Sequence, residues 1–286
     1  MESCYLCGEK NAFYKRPGRV RDDQNLDVLE CQSCGLVFLS SFDHISADFY
    51  ENSRMHAGES RIEDLVNDAA SDDERRFQDL QPLLTNRRVF DFGCGNGGFL
   101  TRAAKVASLA VGLEPERRLK AYFQQKQLAV YDDLAEVNQS FDVITLFHVL
   151  EHLPDPLDTL KQLAGKLNAD GCLIIEVPNA ADALLTLYRS DAFARFTYWS
   201  CHLYLFTANT LGLLARKAGL EINYIKQIQR YPLSNHLYWL AEDKPGGHIQ
   251  WSFLDSRELH NAYEKQLGAI GRCDTLVASF GVPHEQ

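Results

Sequence analysis

The sequence lacks an apolar run of about 18 residues, the length a helix needs to cross a bilayer, so no membrane span is expected. Its first residues lack the charged-then-apolar pattern of a secretory leader, which makes a cytoplasmic protein the expectation. Positive charge is in deficit: 29 Lys and Arg stand against 39 Asp and Glu, for a net charge of −10. A large phosphate-binding surface is therefore disfavoured and a nucleic-acid partner is not expected, although a local basic patch is compatible with the total. Internal repeats and low-complexity tracts are also missing. What is left, 286 residues of ordinary globular composition, is enough for one full domain with attachments.

Cysteine is scarce, yet four of the eight fall into two matching knuckles, Cys4-x-x-Cys7-Gly8 and Cys31-x-x-Cys34-Gly35. One such pair could be a redox dithiol. Two, each followed by glycine and separated by a short polar segment, suit a tetrahedral zinc site made by Cys4, Cys7, Cys31 and Cys34. Paired dithiols or disulfides, and a catalytic metal, are the alternatives; four thiolates would close the shell and leave no position for chemistry. The segment from Asn11 to Glu30 is too polar for a core of its own, and a unit this small needs the metal for stability. Residues 1–42 thus read as a zinc ribbon, a surface for gripping substrate, a protein partner or a second copy of the chain. Leu36–Leu39 reads as a strand packing the ribbon on something larger. Residues 43–86 read as a helical linker or lid, with Phe77, Leu80, Leu83 and Leu84 on one face. Arg75 and Arg76 lie among acids and read as a solvated face. Tyr50 and His56 either line a ligand mouth or sit on the linker surface.

The chain is organised around Val89-Phe90-Asp91-Phe92-Gly93-Cys94-Gly95-Asn96-Gly97-Gly98-Phe99-Leu100, a buried strand, a glycine turn and a helix start. Such a corner is the nucleotide side of a doubly wound sheet. The spacing fits G-x-G-x-x-G (Gly93, Gly95, Gly98) and equally D-x-G-x-G-x-G from Asp91. The acid decides, because a pyrophosphate at a helix N-terminus needs donors and positive field. A ligand carrying an ammonium and a sulfonium would welcome the carboxylate, and S-adenosylmethionine is such a ligand. Leu109–Leu113 is a second apolar strand, and Glu114 after it can accept both hydroxyls of a ribose. The third stretch is Phe141-Asp142-Val143-Ile144-Thr145-Leu146-Phe147-His148-Val149-Leu150-Glu151-His152-Leu153-Pro154-Asp155-Pro156. Its His148-x-x-Glu151-His152 also spells a zinc-protease signature, but that signature needs a helix, and here it leaves a strand and meets Pro154 and Pro156.

These three stretches, in order and at βα spacing, resemble the class I S-adenosylmethionine-dependent methyltransferases, in the broad branch that includes quinone and sugar methylases, over residues 45–230. The resemblance implies an α/β fold, a doubly wound Rossmann-like seven-stranded sheet, with the cofactor domain at 87–229. It implies cofactor contacts from Asp91, Gly93, Gly95, Gly97, Glu114, Phe147 and His148. Asp133 either meets the adenine or caps a helix. Further elements are expected at Gly97–Val106 (helix), Pro115–Gln127 (helix), Leu128–Tyr131 (strand), Pro156–Leu167 (helix), Cys172–Val177 (strand), Thr207–Ala218 (helix) and Leu220–Gln229 (strand). Residues 180–207 form a substrate-covering insertion, and 230–286 an extension whose last strand runs antiparallel beside the sixth.

Within the insertion, Trp199-Ser200-Cys201-His202-Leu203-Tyr204-Leu205-Phe206-Thr207 looks like the family's H-x-x-x-F-[ST] entry to the next helix. In the zinc-ribbon sugar carbon-methylases a glutamate precedes that histidine; here Cys201 does, which weakens a carbon-methylation reading. His202 is the candidate general base and His148 a second candidate at the strand end, with a core histidine as the alternative for His202. The expected activity is methyl transfer to a hydroxyl, with carbon or nitrogen as alternatives, of a polar small molecule such as a nucleotide-linked sugar or surface saccharide precursor. A protein or RNA methylase docking through the ribbon and a non-catalytic scaffold are the rival readings.

Overall fold

The apolar run that ends at Phe92 is a central strand, and a parallel sheet is built outward from it. The computed structural model describes residues 3–46, 48–52 and 61–283. Strands are β1 (Phe13–Lys15), β2 (Val28–Cys31), β3 (Val37–Leu39), β4 (Arg88–Phe92), β5 (Leu109–Leu113), β6 (Val130–Tyr131), β7 (Phe141–Phe147), β8 (Leu167–Pro178), β9 (Tyr204–Leu205), β10 (Glu221–Ile228) and β11 (Thr275–Gly281). Helices are α1 (Ile62–Leu84), α2 (Gly98–Ala103), α3 (Lys120–Lys126), α4 (Pro156–Ala164), α5 (Ala183–Thr186), α6 (Asp191–Thr197), α7 (Ala208–Lys217), α8 (Leu233–Glu242), α9 (Gly247–Gln250) and α10 (Arg257–Ala269).

The large sheet has seven strands in the order β10-β11-β8-β7-β4-β5-β6. β8, β7, β4, β5 and β6 run parallel, while β11 is inserted antiparallel between β8 and β10. β7 and β4 are buried on both faces, through Val89, Phe90, Val143, Ile144 and Leu146, as strands covered by helices on either side must be. Phe90 stacks on Phe141 across the β4–β7 pair, at 5.0 Å between rings. All parallel strands end at one edge, and reversal of strand order between β4 and β7 opens a crevice there. No helix among the described residues is long and apolar enough to cross a membrane.

A second sheet, in the order β1-β2-β3-β9, joins the ribbon to the insertion. β3 is buried throughout, and its outer edge pairs antiparallel with β9 of the insertion, Val37 opposite Leu205 and Phe38 opposite Tyr204. The pairing removes an apolar edge that would otherwise be exposed. The polar loop of the ribbon has no core of its own, but its Val20, Leu26 and Val28 are buried in a cluster shared with Tyr198, Leu203 and Tyr204.

Several element limits differ from expectation for identifiable reasons. α2 begins at Gly98 because Gly97, at φ 74°, is left-handed and cannot be helical. Residues 115–127 split into a 3₁₀ turn at Arg117–Leu119 and then α3. α4 stops at Ala164, capped by Gly165, and Leu167 opens β8 opposite Phe141, since Phe141 N–H has already captured Lys166 O at 2.9 Å. The solvated face expected of Arg75 and Arg76 is wrong: both guanidiniums turn inward onto Glu176 at the end of β8. Leu80 and Leu84 of the expected α1 stripe are buried, while Leu83 stays exposed.

Phe38, 1% exposed and edge-on to Phe13 at 5.4 Å, fills the seam between the ribbon and the insertion. Phe38→Ala is expected to cost about 3–5 kcal/mol, and the exposed Leu83→Ala about 0.5 kcal/mol. Urea unfolding of both variants checks the pair; equal midpoints would mean that the seam contributes nothing to stability.

Candidate active site

The cofactor-side corner follows from the backbone of the turn after β4. Gly93 and Gly95 have φ of 72° and 52°, which glycine adopts without the Cβ penalty. A Cβ on Gly93 would lie 2.4 Å from Val149, so that glycine lets the strand end pack against the β7 loop. A Cβ on Gly95 would meet nothing within 4 Å, so at Gly95 bare backbone faces open space. Gly95 N–H donates to Glu114 Oε2 at 2.9 Å, and Glu116 N–H to Glu114 Oε1 at 3.1 Å. Asp91, fully enclosed, accepts a 2.7 Å hydrogen bond from Thr145 Oγ1. Burial pushes both carboxyls up, each to about 7. Neither has an ion-pair partner among the described residues. Each oxygen of Glu114 holds one backbone donor and keeps a lone pair for another. Desolvated, unpaired acids beside bare backbone are a donor set that fits a cationic ligand with a ribose.

A cavity of about 330 Å³ adjoins this corner, between α1 and the strand ends, with Gly95, Glu116, Phe147 and His148 in its wall. α1 covers it: Asn96 Nδ2 donates to Leu65 O at 3.0 Å, and a Cβ on Gly98 would strike the Asp73 carboxylate. The Arg76 guanidinium lies 4.6 Å over the Phe147 ring. Asp133 sits at the end of β6 and uses Oδ1 to cap the 3₁₀ turn Leu134–Glu136, accepting from Ala135 N–H at 2.9 Å.

A further cavity of about 330 Å³ lies under the insertion, walled by Trp199, His202, Phe193, Trp239 and Tyr231, with Arg21 of the ribbon reaching in. His148 and Arg230 line both cavities. The two spaces therefore adjoin at the end of β7, on either side of these two residues. His148 has φ of 56° and is held from three sides: Nδ1 to Glu151 at 3.2 Å, Nε2 to Glu176 at 3.3 Å and to Arg230 at 3.1 Å. Burial opposes the charged ring, but the bonds to Glu151 and Glu176 carry its pKa above the ordinary histidine value. Arg230 is itself paired with Asp72 of α1.

His202 and the Glu151-His152 pair converge although they are far apart in sequence. Ligand atoms of Glu151, His152 and His202 lie within 4.8 Å of one another. His152 Nδ1 donates to Cys201 O at 2.7 Å and His202 Nδ1 to Thr197 O at 3.0 Å, which leaves His202 Nε2 without a hydrogen-bond partner among the described residues. Glu151 Oε2 is buried and has no hydrogen-bond partner among them either. Burial and the neighbouring His152 push His202 down to about 4. The sequence argument against a metal at His148-x-x-Glu151-His152 rested on the missing helix, and the residues do form only a 3₁₀ turn. It missed that His202 supplies the second ring from the insertion. These three residues can hold a divalent cation. Tyr50 adds a hydrogen bond from its hydroxyl to His152 O at 2.6 Å, and His56 lies outside the described residues.

The four ribbon thiols form a separate cluster. Cys4 and Cys34 sulfurs are 3.6 Å apart, Cys7 and Cys31 sulfurs 3.5 Å, far beyond disulfide length and near the roughly 3.8 Å edge of a tetrahedral zinc–thiolate site. Gly8 at φ 77° and Gly35 at φ 82° close the knuckles by donating to Cys4 O and Cys31 O, each at 2.8 Å.

Comparison with known proteins agrees with this arrangement. A methyltransferase domain family model matches residues 56–225. Over 228 residues the chain is 26% identical to a ubiquinone biosynthesis O-methyltransferase of Coxiella burnetii, covering 74% of this chain and 90% of that protein. The fold is shared with an S-adenosylmethionine-dependent methyltransferase from Archaeoglobus fulgidus (TM-score 0.51, 18% identity, 72% of this chain and 91% of the other). It is shared too with magnesium protoporphyrin IX methyltransferase from Synechocystis PCC 6803, solved with S-adenosylhomocysteine bound (TM-score 0.51, 14% identity, 82% and 97%). With the family match spanning more than half of its length and the glycine corner inside that span, the chain belongs to the class I S-adenosylmethionine-dependent methyltransferases.

Proposed function

We propose that the chain methylates a hydroxyl of a polar, ring-containing small molecule. The observation that carries this reading is the meeting of the two cavities at His148 and Arg230, one lined by the glycine corner and the other by the insertion. The O-methyltransferase relative supports oxygen as the acceptor atom. The aromatic walls suit the flat face of a ring, and a nucleotide-linked sugar or saccharide precursor falls within this class.

S-adenosylmethionine, when bound, supplies an activated methyl that an acceptor takes by in-line displacement. Asp91, Gly93, Gly95, Gly97 and Glu114 would hold it at the corner, with Phe147 and His148 along its cleft and Asp133 near the adenine end. The protein's work is alignment and proton removal. His202 is neutral at physiological pH, and its Nδ1 is fixed by Thr197, so its bare Nε2 can accept the hydroxyl proton as the methyl arrives. A pKa this low makes it a weak base, and the unpartnered Glu151 Oε2 favours a second reading of the same cluster. In that reading Glu151, His152 and His202 would hold a divalent cation, whose Lewis acidity would lower the pKa of a hydroxyl beside it. The ribbon thiols fit a structural zinc. The β3 edge is already occupied by β9, which gives a macromolecular substrate no free strand to dock on there.

Glu114→Gln is expected to weaken S-adenosylmethionine binding roughly tenfold to a hundredfold; calorimetry giving the wild-type constant would remove Glu114 from the site. His202→Ala should lower turnover on a responsive hydroxylated acceptor by about 10²–10⁴ while leaving S-adenosylhomocysteine affinity unchanged. Retained turnover would exclude His202 from the chemistry in either role. A chelator that leaves the ribbon metal in place separates the two roles: lost activity, restored by magnesium or zinc, supports the cation, and unchanged activity supports the histidine base.

A further inference from the structure

The acceptor-side cavity contains a cation that this mechanism does not use. Arg21 belongs to the loop between β1 and β2 of the ribbon, yet it lines the cavity under the insertion. Two sets of bonds seat it there. Arg21 N–H donates to Tyr198 O at 2.8 Å, and the next residue, Asp22, accepts from Ser200 N–H at 3.0 Å and Ser200 Oγ at 2.7 Å. The Arg21 guanidinium lies 4.2 Å over the Trp199 ring. One of its nitrogens donates a long 3.3 Å bond to Phe196 O. It has no carboxylate partner within ion-pairing distance among the described residues, whereas Arg16 is paired with Glu30 and Arg230 with Asp72.

The acids in the same wall do not neutralise it. Asp182 accepts from Leu184 N–H, and Asp274 accepts from the backbone N–H groups of Arg230 and Tyr231. Burial lifts both carboxyls above their ordinary range. A chain of net charge −10 thus carries, in the wall of its acceptor cavity, a guanidinium with no ion-pair partner among the described residues. A guanidinium over an indole still offers the in-plane N–H groups not given to Phe196 O, and these match the oxygens of a phosphate or carboxylate. The Trp199 ring also meets the His202 ring, at 5.5 Å between centroids and steeply tilted. Arg21 and His202 therefore both contact one indole.

We propose that Arg21 is a specificity residue of the acceptor cavity, reading a phosphate or carboxylate on an acceptor whose reacting hydroxyl lies about one ring away, beside His202. The inference rests on the hydroxyl-methylation reading above and adds the charge of the substrate to it. It also gives the ribbon a role in the site: the loop between its two knuckles contributes Arg21 to the cavity wall.

The test uses full-length, metal-replete protein with bound S-adenosylhomocysteine, titrated calorimetrically with inorganic pyrophosphate, glucose 1-phosphate and benzoate. At least one anion is expected to bind, and the phosphate and carboxylate probes tell the two sources apart. Arg21→Ala should weaken that binding roughly tenfold to a hundredfold and Arg21→Lys by less, with S-adenosylhomocysteine affinity and melting temperature unchanged in both. Equal anion affinity in wild type and Arg21→Ala overturns the proposal, as does the absence of anion binding to protein that holds S-adenosylhomocysteine. Failure of wild type to bind S-adenosylhomocysteine brings down the parent reading first, and this one with it.

Discussion

Glu176 is the carboxylate on which the site is assembled. It sits at the end of β8, 1% exposed, and receives Arg75 and Arg76 of α1 and His148 from the end of β7. Burial alone would protonate it; His148 and Arg76 instead hold it well below the ordinary carboxylate range. Desolvating such a cluster costs several kcal/mol per ion, and the cost is recovered only when every partner is in place. The covering helix, the strand-end histidine and the sheet are thus fixed relative to one another by a single acid. Arg230 joins the same cluster through Asp72, which also bonds Arg75.

The ribbon is fixed with comparable firmness by different means. β3 pairs with β9, Arg16 donates to Ala180 O at 2.8 Å, and the Tyr5 hydroxyl donates to Asp155 while accepting from Leu157 N–H at 2.8 Å. Each of these bonds crosses from the ribbon to the transferase core or its insertion. The insertion contains short helices and few strand bonds of its own, so it depends on the ribbon for a sheet to belong to. A metal held by the four thiols would then support the acceptor cavity as well, by stiffening the loop that carries Arg21.

The corner at Asp91 was readable because its signals are local: an apolar run, alternating glycines and an acid lie within a dozen residues. The parallel sheet and the strand-end position of His148 were readable for the same reason, since periodicity and spacing are properties of short windows; the antiparallel direction of the last strand came from the family resemblance. The contacts that were missed join residues far apart in the chain. Arg75 and Arg76 stand among acids at helical spacing, which looks like a solvated face until Glu176, about 100 residues later, is folded against them. His202 joins Glu151 and His152 only because the insertion folds back over the β7 end. Leu167 fits the stripe of α4, and its capture by β7 depends on a tertiary hydrogen bond that no helical pattern encodes. For Arg21, a ribbon rich in polar residues gave no signal separating one cation from the rest.

The two cavities differ in where an isolated charge is placed. Beside the cofactor corner Asp91 and Glu114 have no ion-pair partner among the described residues, and in the wall of the other cavity Arg21 has none. Between them stand His148 and Arg230, both already committed to carboxylates. On the proposed reading a cationic methyl donor and an anionic acceptor are drawn to two adjoining cavities. Their opposite charges attract across the junction where the methyl must pass. The transfer removes the positive charge from the donor, so the attraction that brought the two ligands together is lost when the reaction is complete. The acidic surface of the chain then disfavours retention of an anionic product outside the reach of Arg21. On that reading the approach and release of the two ligands would follow their charge, without any movement of the sheet.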